Sequence, residues 1–463
     1  MKHNYFVMFG LILLASCATK SKQSEKSQEG EVRLITLDPG HFHAALVQKT
    51  SYPQVSNEVY VYAPAGDDLA EHLKKIEAYN TRPESPTKWD EKVYTGDDYE
   101  RKMLHEKKGN VLALAGNNGK KISYIRNAVV AGLNVLADKP MVIGADGFEL
   151  LKNCFDIAKK NNVLLYDIMT ERFEITTMLQ RAFSRIPAVY GEQLKGAPDS
   201  PAVTKESVHH FFKVVSGSPL KRPAWFFDTE QQGEGIVDVT THLVDLVQWA
   251  CFPEKIINYS KDIELLDANH WTTPLSPAQF VEVTGQATYP DYLKKNVKND
   301  TLNVYANGDI TYKINGVCAK VSVVWNYTYP EGGGDTHYSV MKGSKAHLVI
   351  EQGKAQNYKP VLFIKAQDAD LAAYEQALSA SLPTITEQFP GVGLQKISDN
   401  VWQVNVPAAY HNGHEAHFGQ VTEHFLKYLK EGALPDWEIP NMLAKYYVTT
   451  QALELARQKQ NAK

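Results

Sequence analysis

The chain has 463 residues, 43% of them hydrophobic and 22% charged, with a formal net charge of −4. That length supports two or three domains of roughly 100–200 residues, each with ample core. The ordinary composition, with neither sign of charge massed on one segment, argues against nucleic acid as a partner.

The first element in chain order is a processing signal. Met1-Lys2-His3 precedes an apolar run from Tyr5 to Leu14, followed by Ala15-Ser16-Cys17. A charged start, a short apolar core and small residues before a cut make a secretory signal, and the run is too short to span a membrane. Leu14-Ala15-Ser16-Cys17 resembles a bacterial lipobox, in which Cys17 becomes the lipidated first residue. A plain secretory signal with an incidental cysteine is the alternative. The expectation is an envelope protein on the periplasmic side of a bacterial membrane, touching that membrane only through its lipid. Residues 18–31 are polar and read as a flexible tether. Cys154, Cys251 and Cys318 are far apart and odd in number, so each reads as a small buried residue and no disulfide framework is expected.

From Val32 strands and helices alternate. Strands are predicted over 32–37, 59–63, 111–115, 134–137 and 163–166. Helices are predicted over 40–49, 68–79, 120–131 (closed by Gly132) and 146–160. Short apolar strands separated by helices predict an α/β fold, a Rossmann-like doubly wound parallel sheet over residues 32–170. Beyond about residue 187 the rhythm changes to strands in series, over 208–215, 256–265, 281–287, 301–305, 319–327, 347–351 and 361–365. This predicts an α+β domain over 171–463 with a large, mostly antiparallel open sheet. Helices over 413–430 and 440–458 close the chain. Phe418, Val421, Phe425 and Leu429 share one face of the first, which is expected to pack on that sheet.

The turn after the first strand reads Leu37-Asp-Pro-Gly-His-Phe-His-Ala44. A dinucleotide loop uses three glycines: for the tight turn, for approach of the pyrophosphate, and for helix packing. Here those places fall at Asp38, Gly40 and His43, so only the second is kept. A carboxylate at the turn repels a pyrophosphate unless His41 or His43 neutralises it, and Pro39 lacks a donor. A helix starting after Gly40 still offers N–H groups to an anion. The alternative is that Asp38 simply caps that helix. Asp67, just past the second strand, is placed to hold a ribose or to cap the next helix, and Asp68 shares that place.

Three further stretches carry chemistry. Asp138-Lys139-Pro140 follows a strand directly, at the carboxyl edge where doubly wound sheets bind ligands. Gly233-Glu-Gly-Ile-Val-Asp-Val-Thr-Thr-His242 places Asp238 and His242 four apart, on one helical face, where a carboxylate can tune an imidazole for proton transfer. A surface ion pair is the plainer reading. His411, His414 and His417 stand three apart, but the full span matches one helical face poorly, and no metal ligands are assigned. Tyr410 and His414 are assigned to a hydroxyl-rich ligand instead. Glu171 and Arg172 either sit above the sheet edge or form an ordinary ion pair, and Trp225 either stacks on a sugar or packs in the core.

The order of these stretches resembles the glucose–fructose oxidoreductase / inositol dehydrogenase / MocA-type family, over roughly residues 32–455. Its Glu-Lys-Pro appears here as Asp138-Lys139-Pro140, and its Gly-Gly-Gly…Asp…His segment as Gly233-Glu234-Gly235, Asp238 and His242. Trp249 and the turn Gly343-Ser344-Lys345 also match, and the whole resembles a lipoprotein branch of Bacteroidetes type. The resemblance implies an oxidoreductase acting on a sugar or polyol with NAD or NADP, with internal recycling of the cofactor as one form. It implies that Lys139 positions substrate and cofactor ribose, and that Asp238 and His242 stand at the reacting carbon, His242 as acid/base. Asp38, Gly40, His41, His43, Asp67, Lys139 and Pro140 would face the cofactor. Glu171, Arg172, Trp225, Tyr410 and His414 would face the sugar, and a homo-oligomer is allowed for. Two alternatives stay open: a redox-neutral carbohydrate lyase or hydrolase, and a non-catalytic carbohydrate-binding lipoprotein.

Overall fold

The computed structural model describes residues 32–215 and 218–462. The expected signal, Cys17 and the tether lie outside them. The first lobe is a six-stranded parallel sheet, with β1 (Leu34–Leu37), β2 (Glu58–Ala63), β3 (Asp90–Thr95), β4 (Val111–Leu114), β5 (Asn134–Asp138) and β6 (Leu165–Ile168) in the order β3-β2-β1-β4-β5-β6. β1, β4 and β6 are buried along their whole length, which is why they read as short apolar runs rather than alternating ones. The helices of this lobe are α1 (His43–Leu46), α2 (Asp67–Thr81), α3 (Tyr99–Glu106), α4 (Asn118–Val130) and α5 (Ala145–Lys160). The helix expected over 40–49 is therefore one turn only.

The second lobe contains α6 (Ile175–Ser184), β7 (Val203–His210), α7 (Thr240–Cys251), β8 (Ile263–Leu275), α8 (Pro277–Thr284), β9 (Thr301–Ile314), β10 (Val317–Asn326), β11 (Thr336–Lys342), β12 (Ala346–Gln352), β13 (Val361–Ala366), α9 (Leu371–Gln388), β14 (Gly393–Ser398) and β15 (Val401–Asn405). Its open sheet runs β8-β9-β10-β7-β11-β12-β13-β15-β14, antiparallel except between β10 and β7. The strand expected over 281–287 is the end of helix α8. Ser276 and Gln279 form a capping box at its start, Pro277 takes the first position, and Gly285 closes it with φ 78°.

Two helices end the fold, α10 (His414–Glu431) and α11 (Glu438–Asn461). Phe418, Val421, Phe425 and Leu426 of α10 pack into the core of the first lobe, with Leu34, Leu46 and Tyr166, and not onto the second sheet as expected. Leu429 lies at the margin of that core. α11 bridges the lobes: Met442 and Tyr446 enter the first core, while Val448, Ala452 and Leu453 enter the second. The chain therefore returns to its first lobe after building its second. Cys154 and Cys318 are buried and, with the half-buried Cys251, unpaired.

Candidate functional site

Lys139 and Asp238 meet between the lobes, at the carboxyl edge of β5. Lys139 Nζ lies 2.5 Å from Asp238 Oδ1, with both side chains at or below 10% exposure. Gln232 Nε2 donates to the other Asp238 oxygen at 3.0 Å. Burial pushes the Lys139 ammonium down, but the Asp238 and Asp138 carboxylates outweigh it and hold the pKa above the ordinary value. The Lys139–Pro140 peptide bond is cis. Behind this turn the buried Lys121 Nζ donates to the carbonyls of Asp138 and Pro140 at 2.8 and 3.1 Å, and to Asn118 Oδ1 at 2.6 Å, fixing the strand end.

The glycines at 233 and 235 have separate steric causes. Gly233 takes φ +91°, and a Cβ on Gly235 would lie 1.8 Å from the Ala306 carbonyl oxygen of β9. Asp238 sits in the turn before α7, not on the helix with His242, and its carboxylate partners are Lys139 and Gln232. The expected Asp238–His242 pair is therefore replaced by a Lys139–Asp238 pair. Burial, and then the nearby Lys139 charge, push the His242 pKa well below its ordinary value, and its Nδ1 is buried without a hydrogen-bond partner.

His41 and His43 lie beside Asp138. His43 Nδ1 is 2.9 Å from Asp138 Oδ2 and His41 Nδ1 is 4.0 Å from the same oxygen. Neither histidine neutralises Asp38. That carboxylate instead accepts from Tyr124 Oη at 2.8 Å and Lys120 Nζ at 3.2 Å, with Asp38 itself at φ 47°. Gly40 is covered: a Cβ there would lie 3.0 Å from Asp68 Oδ2 and 3.1 Å from the Trp225 ring. Trp225 Nε1 donates to that Asp68 oxygen at 2.9 Å, so the indole ties the second lobe to the first. The N–H groups of Gly40 and His41 are taken by the carbonyls of Asp38 and Ala115. A cavity of about 260 Å³ opens next to this turn, lined by Asp38, Pro39, Asp67, Asp68 and residues 63–66 and 69.

The sugar-facing expectations divide. His414, first residue of α10, lies with its ring 5.4 Å from that of His43, and its Nε2 is 3.4 Å from Thr170 Oγ1 and 3.9 Å from Glu171 Oε1. The structure therefore brings Glu171 and His414 to the site, and burial raises the Glu171 pKa. Arg172 is a correction. It binds Asp245 with two bonds of 2.7 Å and Glu438 at 2.8 Å, in a buried network completed by Lys445 and Asp167. Tyr410 is also corrected: its hydroxyl donates to the Pro390 carbonyl and its ring packs against Phe389, apart from these groups. Among the described residues one group of three metal-capable side chains converges: His41, His43 and Asp138. It does not include His411, His414 or His417.

Sequence reasoning missed a second polar cluster in the second lobe. His209, His210 and Lys213 gather around Asp335, which lies 2.9 Å from His210 Nδ1 and 3.3 Å from His209 Nδ1 and also accepts from Lys213. Burial and then Lys213 lower the His209 pKa against the pull of Asp335, with Lys139 a smaller contributor, and Lys213 acts weakly on His414, so the fields of this cluster and of the Lys139 turn overlap. The signal was the pair His209-His210 at the end of an alternating strand.

Comparison with known proteins follows this geometry. Residues 179–457 match the family model described as "Putative oxidoreductase C terminal domain". A crystal structure of a "putative oxidoreductase" from Parabacteroides merdae is 69% identical, with a TM-score of 0.92 over 93% of this chain and 98% of that one. Levoglucosan dehydrogenase, in complex with NADH and levoglucosan, is 12% identical with a TM-score of 0.59, over 93% of this chain and 98% of that one. The 3-ketoreductase KijD10 from Actinomadura kijaniata, with NADP and TDP-benzene, is 12% identical with a TM-score of 0.56, over 91% and 96%. At that identity the last two share the fold. No curated protein matches.

Proposed function

The chain belongs to the oxidoreductase family marked by that C-terminal domain, on the glucose–fructose oxidoreductase / inositol dehydrogenase / MocA-type fold, and from that premise we propose that it oxidises or reduces a sugar or polyol with NAD or NADP. The observation that carries the reading is the Lys139–Asp238 ion pair at the carboxyl edge of β5, with neutral imidazoles around it. The nicotinamide complexes of the two distant relatives support it by analogy of fold alone.

A dinucleotide fits at both ends of the cleft. The cavity beside Asp67 and Asp68 lies at the carboxyl ends of β1 and β2, where doubly wound sheets take the adenosine half. Asp38, the carboxylate that would repel phosphate, already has Lys120 as counter-charge. Between the ends, over Gly40, the fit requires Trp225 and Asp68 to part. Asp67 would meet the ribose, and Lys139 the nicotinamide side and the substrate. When bound, the nicotinamide supplies the hydride acceptor or donor.

The chain's own residues handle the proton. Lys139, held charged by Asp238, donates to the reacting oxygen of the substrate and stabilises negative charge developing there. Neutral His242, with an unpartnered Nδ1, takes the hydroxyl proton as base and returns it in the reverse direction. Gln232 orients Asp238, and His414 with Glu171 offers donors and acceptors to further hydroxyls. The setting we propose is the cell envelope, with the chain anchored through Cys17. There a cofactor kept bound and regenerated within each turnover needs no free pool.

The closure over Gly40 favours a second reading, redox-neutral proton chemistry on a carbohydrate by the same residues. Mass spectrometry of small molecules released on denaturing the purified protein, with NADH and NADPH fluorescence titrations, separates the two. The first reading expects a dinucleotide bound or bindable, and a turnover loss of about 10²–10⁴-fold in His242→Ala. Sugar conversion by protein that binds neither nucleotide would overturn it for the second.

A further inference from the structure

We propose that His41, His43 and Asp138 form a binding site for a divalent transition-metal ion at the mouth of the parallel sheet. The inference goes beyond the proposed reaction and does not depend on it.

Two separate pieces of chain make the group. His41 and His43 come from the turn after β1, Asp138 from the end of β5, and β4 lies between those strands. One ligand atom from each side chain lies within 4.8 Å of the others. Metal–ligand bonds of about 2.0–2.2 Å place ligand atoms roughly 3–4 Å apart, so a shift of the His41 ring closes the triangle on an ion. Only one of the two imidazoles is within hydrogen-bond distance of Asp138: His41 Nδ1 stands 4.0 Å off. An ordinary His–Asp hydrogen bond accounts for His43, whereas His41 Nδ1, turned to the same carboxylate, accepts only a long bond of 3.3 Å from the His43 backbone N–H, which an ion would displace.

The surroundings suit ligands. Both imidazoles are largely withdrawn from water, His41 at 20% and His43 at 10% side-chain exposure, and an ion would take their neutral, lone-pair-bearing form. The His43 ring is held between Phe42 and Phe418, with ring centres 4.4 and 4.5 Å away, which fixes its plane. Lys121 pins the Asp138 backbone from behind. Two imidazoles and a carboxylate leave coordination positions open, and N/O ligands of this kind suit Zn, Fe, Mn or Co in the divalent state. A further imidazole, His414, stands with its ring centre 5.4 Å from that of His43, and its Nε2 has the two long contacts given above. Oxygen atoms of a sugar, arriving beside Lys139, are the class of ligand that would fill the open positions.

The test uses the full purified chain, stripped with chelator and reloaded with Zn²⁺ or Co²⁺, without sugar or nicotinamide. Elemental analysis after dialysis should find about one ion per chain. The Co²⁺ form should show visible d–d bands. His41→Asn and His43→Asn should each weaken retention at least tenfold, and His411→Ala should not. Circular dichroism identifies any variant that fails to fold, and His41, the more exposed of the two, is the variant least expected to. Ions lost from wild type on dialysis, or retained equally by folded His41→Asn, would overturn the proposal. Because no turnover or dinucleotide enters the readout, failure here leaves the oxidoreductase reading standing, and the converse holds.

Discussion

Two clusters of charge join the lobes, and they are built on opposite terms. The first contains Asp167, Arg172, Asp245, Glu438 and Lys445, with side chains at most 7% exposed. Its cations are an arginine and a lysine, and each bridges two carboxylates at 2.7–2.9 Å. Arg172 and Lys445 hold the Asp245 carboxylate far below the usual range despite its burial. The second, around Asp138, Lys139 and Asp238, is rich in imidazoles whose contacts are unfinished. His242 Nδ1 has no partner, His41 Nδ1 stands 4.0 Å from its carboxylate with only a long bond of 3.3 Å from the His43 backbone N–H, and His414 has only long contacts. One oxygen each of Asp167 and Glu438 lacks a hydrogen-bond partner, but every charge of the first cluster is paired with an opposite one, and paired charges in the core hold a fold together. Groups left incomplete at a cleft are available to a ligand. The difference assigns Arg172 to architecture and Lys139 to chemistry, although both follow a strand of the same sheet.

The largest effect should come from breaking the first cluster. Arg172→Met leaves Asp245 and Glu438 buried with one cation fewer, and should cost about 3–5 kcal/mol of stability. His41→Asn in the second cluster should cost about 1 kcal/mol or less. Denaturant midpoints for the two variants measure the contrast. A stable Arg172→Met protein without activity would move Arg172 back into the site.

Much of this was legible in the sequence, for physical reasons. The buried parallel strands announce themselves as apolar runs, and the Asp138-Lys139-Pro140 turn follows its strand as the doubly wound fold requires. β3, Asp-Glu-Lys-Val-Tyr-Thr, was not legible because it is an edge strand whose charges face solvent. α8 was misread because Val281 and Val283 suggest a strand, although Ser-Pro-Ala-Gln ahead of them marks a helix start. The i,i+4 spacing of Asp238 and His242 suggested a pair, but the helix begins two residues after Asp238 and the carboxylate turns to a lysine 99 positions away. No local pattern carries a contact of that range. The same holds for His43 and Asp138, which meet across 95 positions.

A missing partner is not by itself a mark of function, and His72 tests that limit. It lies in α2, 4% exposed, with both ring nitrogens unpartnered, and burial lowers its pKa to about 4. Between that value and the unfolded value near 6.5, the native state binds fewer protons than the unfolded state. Stability is therefore full above about pH 6.5 and falls as pH drops through this window, with the loss complete near pH 4. The two values bound it at about 3 kcal/mol. His72→Leu should flatten the fall in denaturant midpoint between pH 7 and 4.5 without changing turnover at pH 7. Part of the slope should remain, because His41, His43 and His242 are depressed in the same direction. Loss of turnover in a folded His72→Leu protein would mean that even this core imidazole reaches the chemistry.

A smaller effect than that of Arg172 or His72 concerns a bond that lies between architecture and site. Trp225 Nε1 donates to Asp68 across the lobes, and the pair covers Gly40. Trp225→Phe removes the donor and narrows the ring that lies 3.1 Å from the Gly40 Cβ position. If this contact must open before a pyrophosphate can cross the turn, weakening it by about 1.4 kcal/mol should tighten NADH binding about tenfold. Fluorescence titration of both proteins at one ionic strength reads the ratio directly. Equal affinities would place the dinucleotide path away from Gly40. Binding by neither protein would leave the turn as a closed element of the fold, and would move the weight of the site to the Lys139 side and its imidazoles.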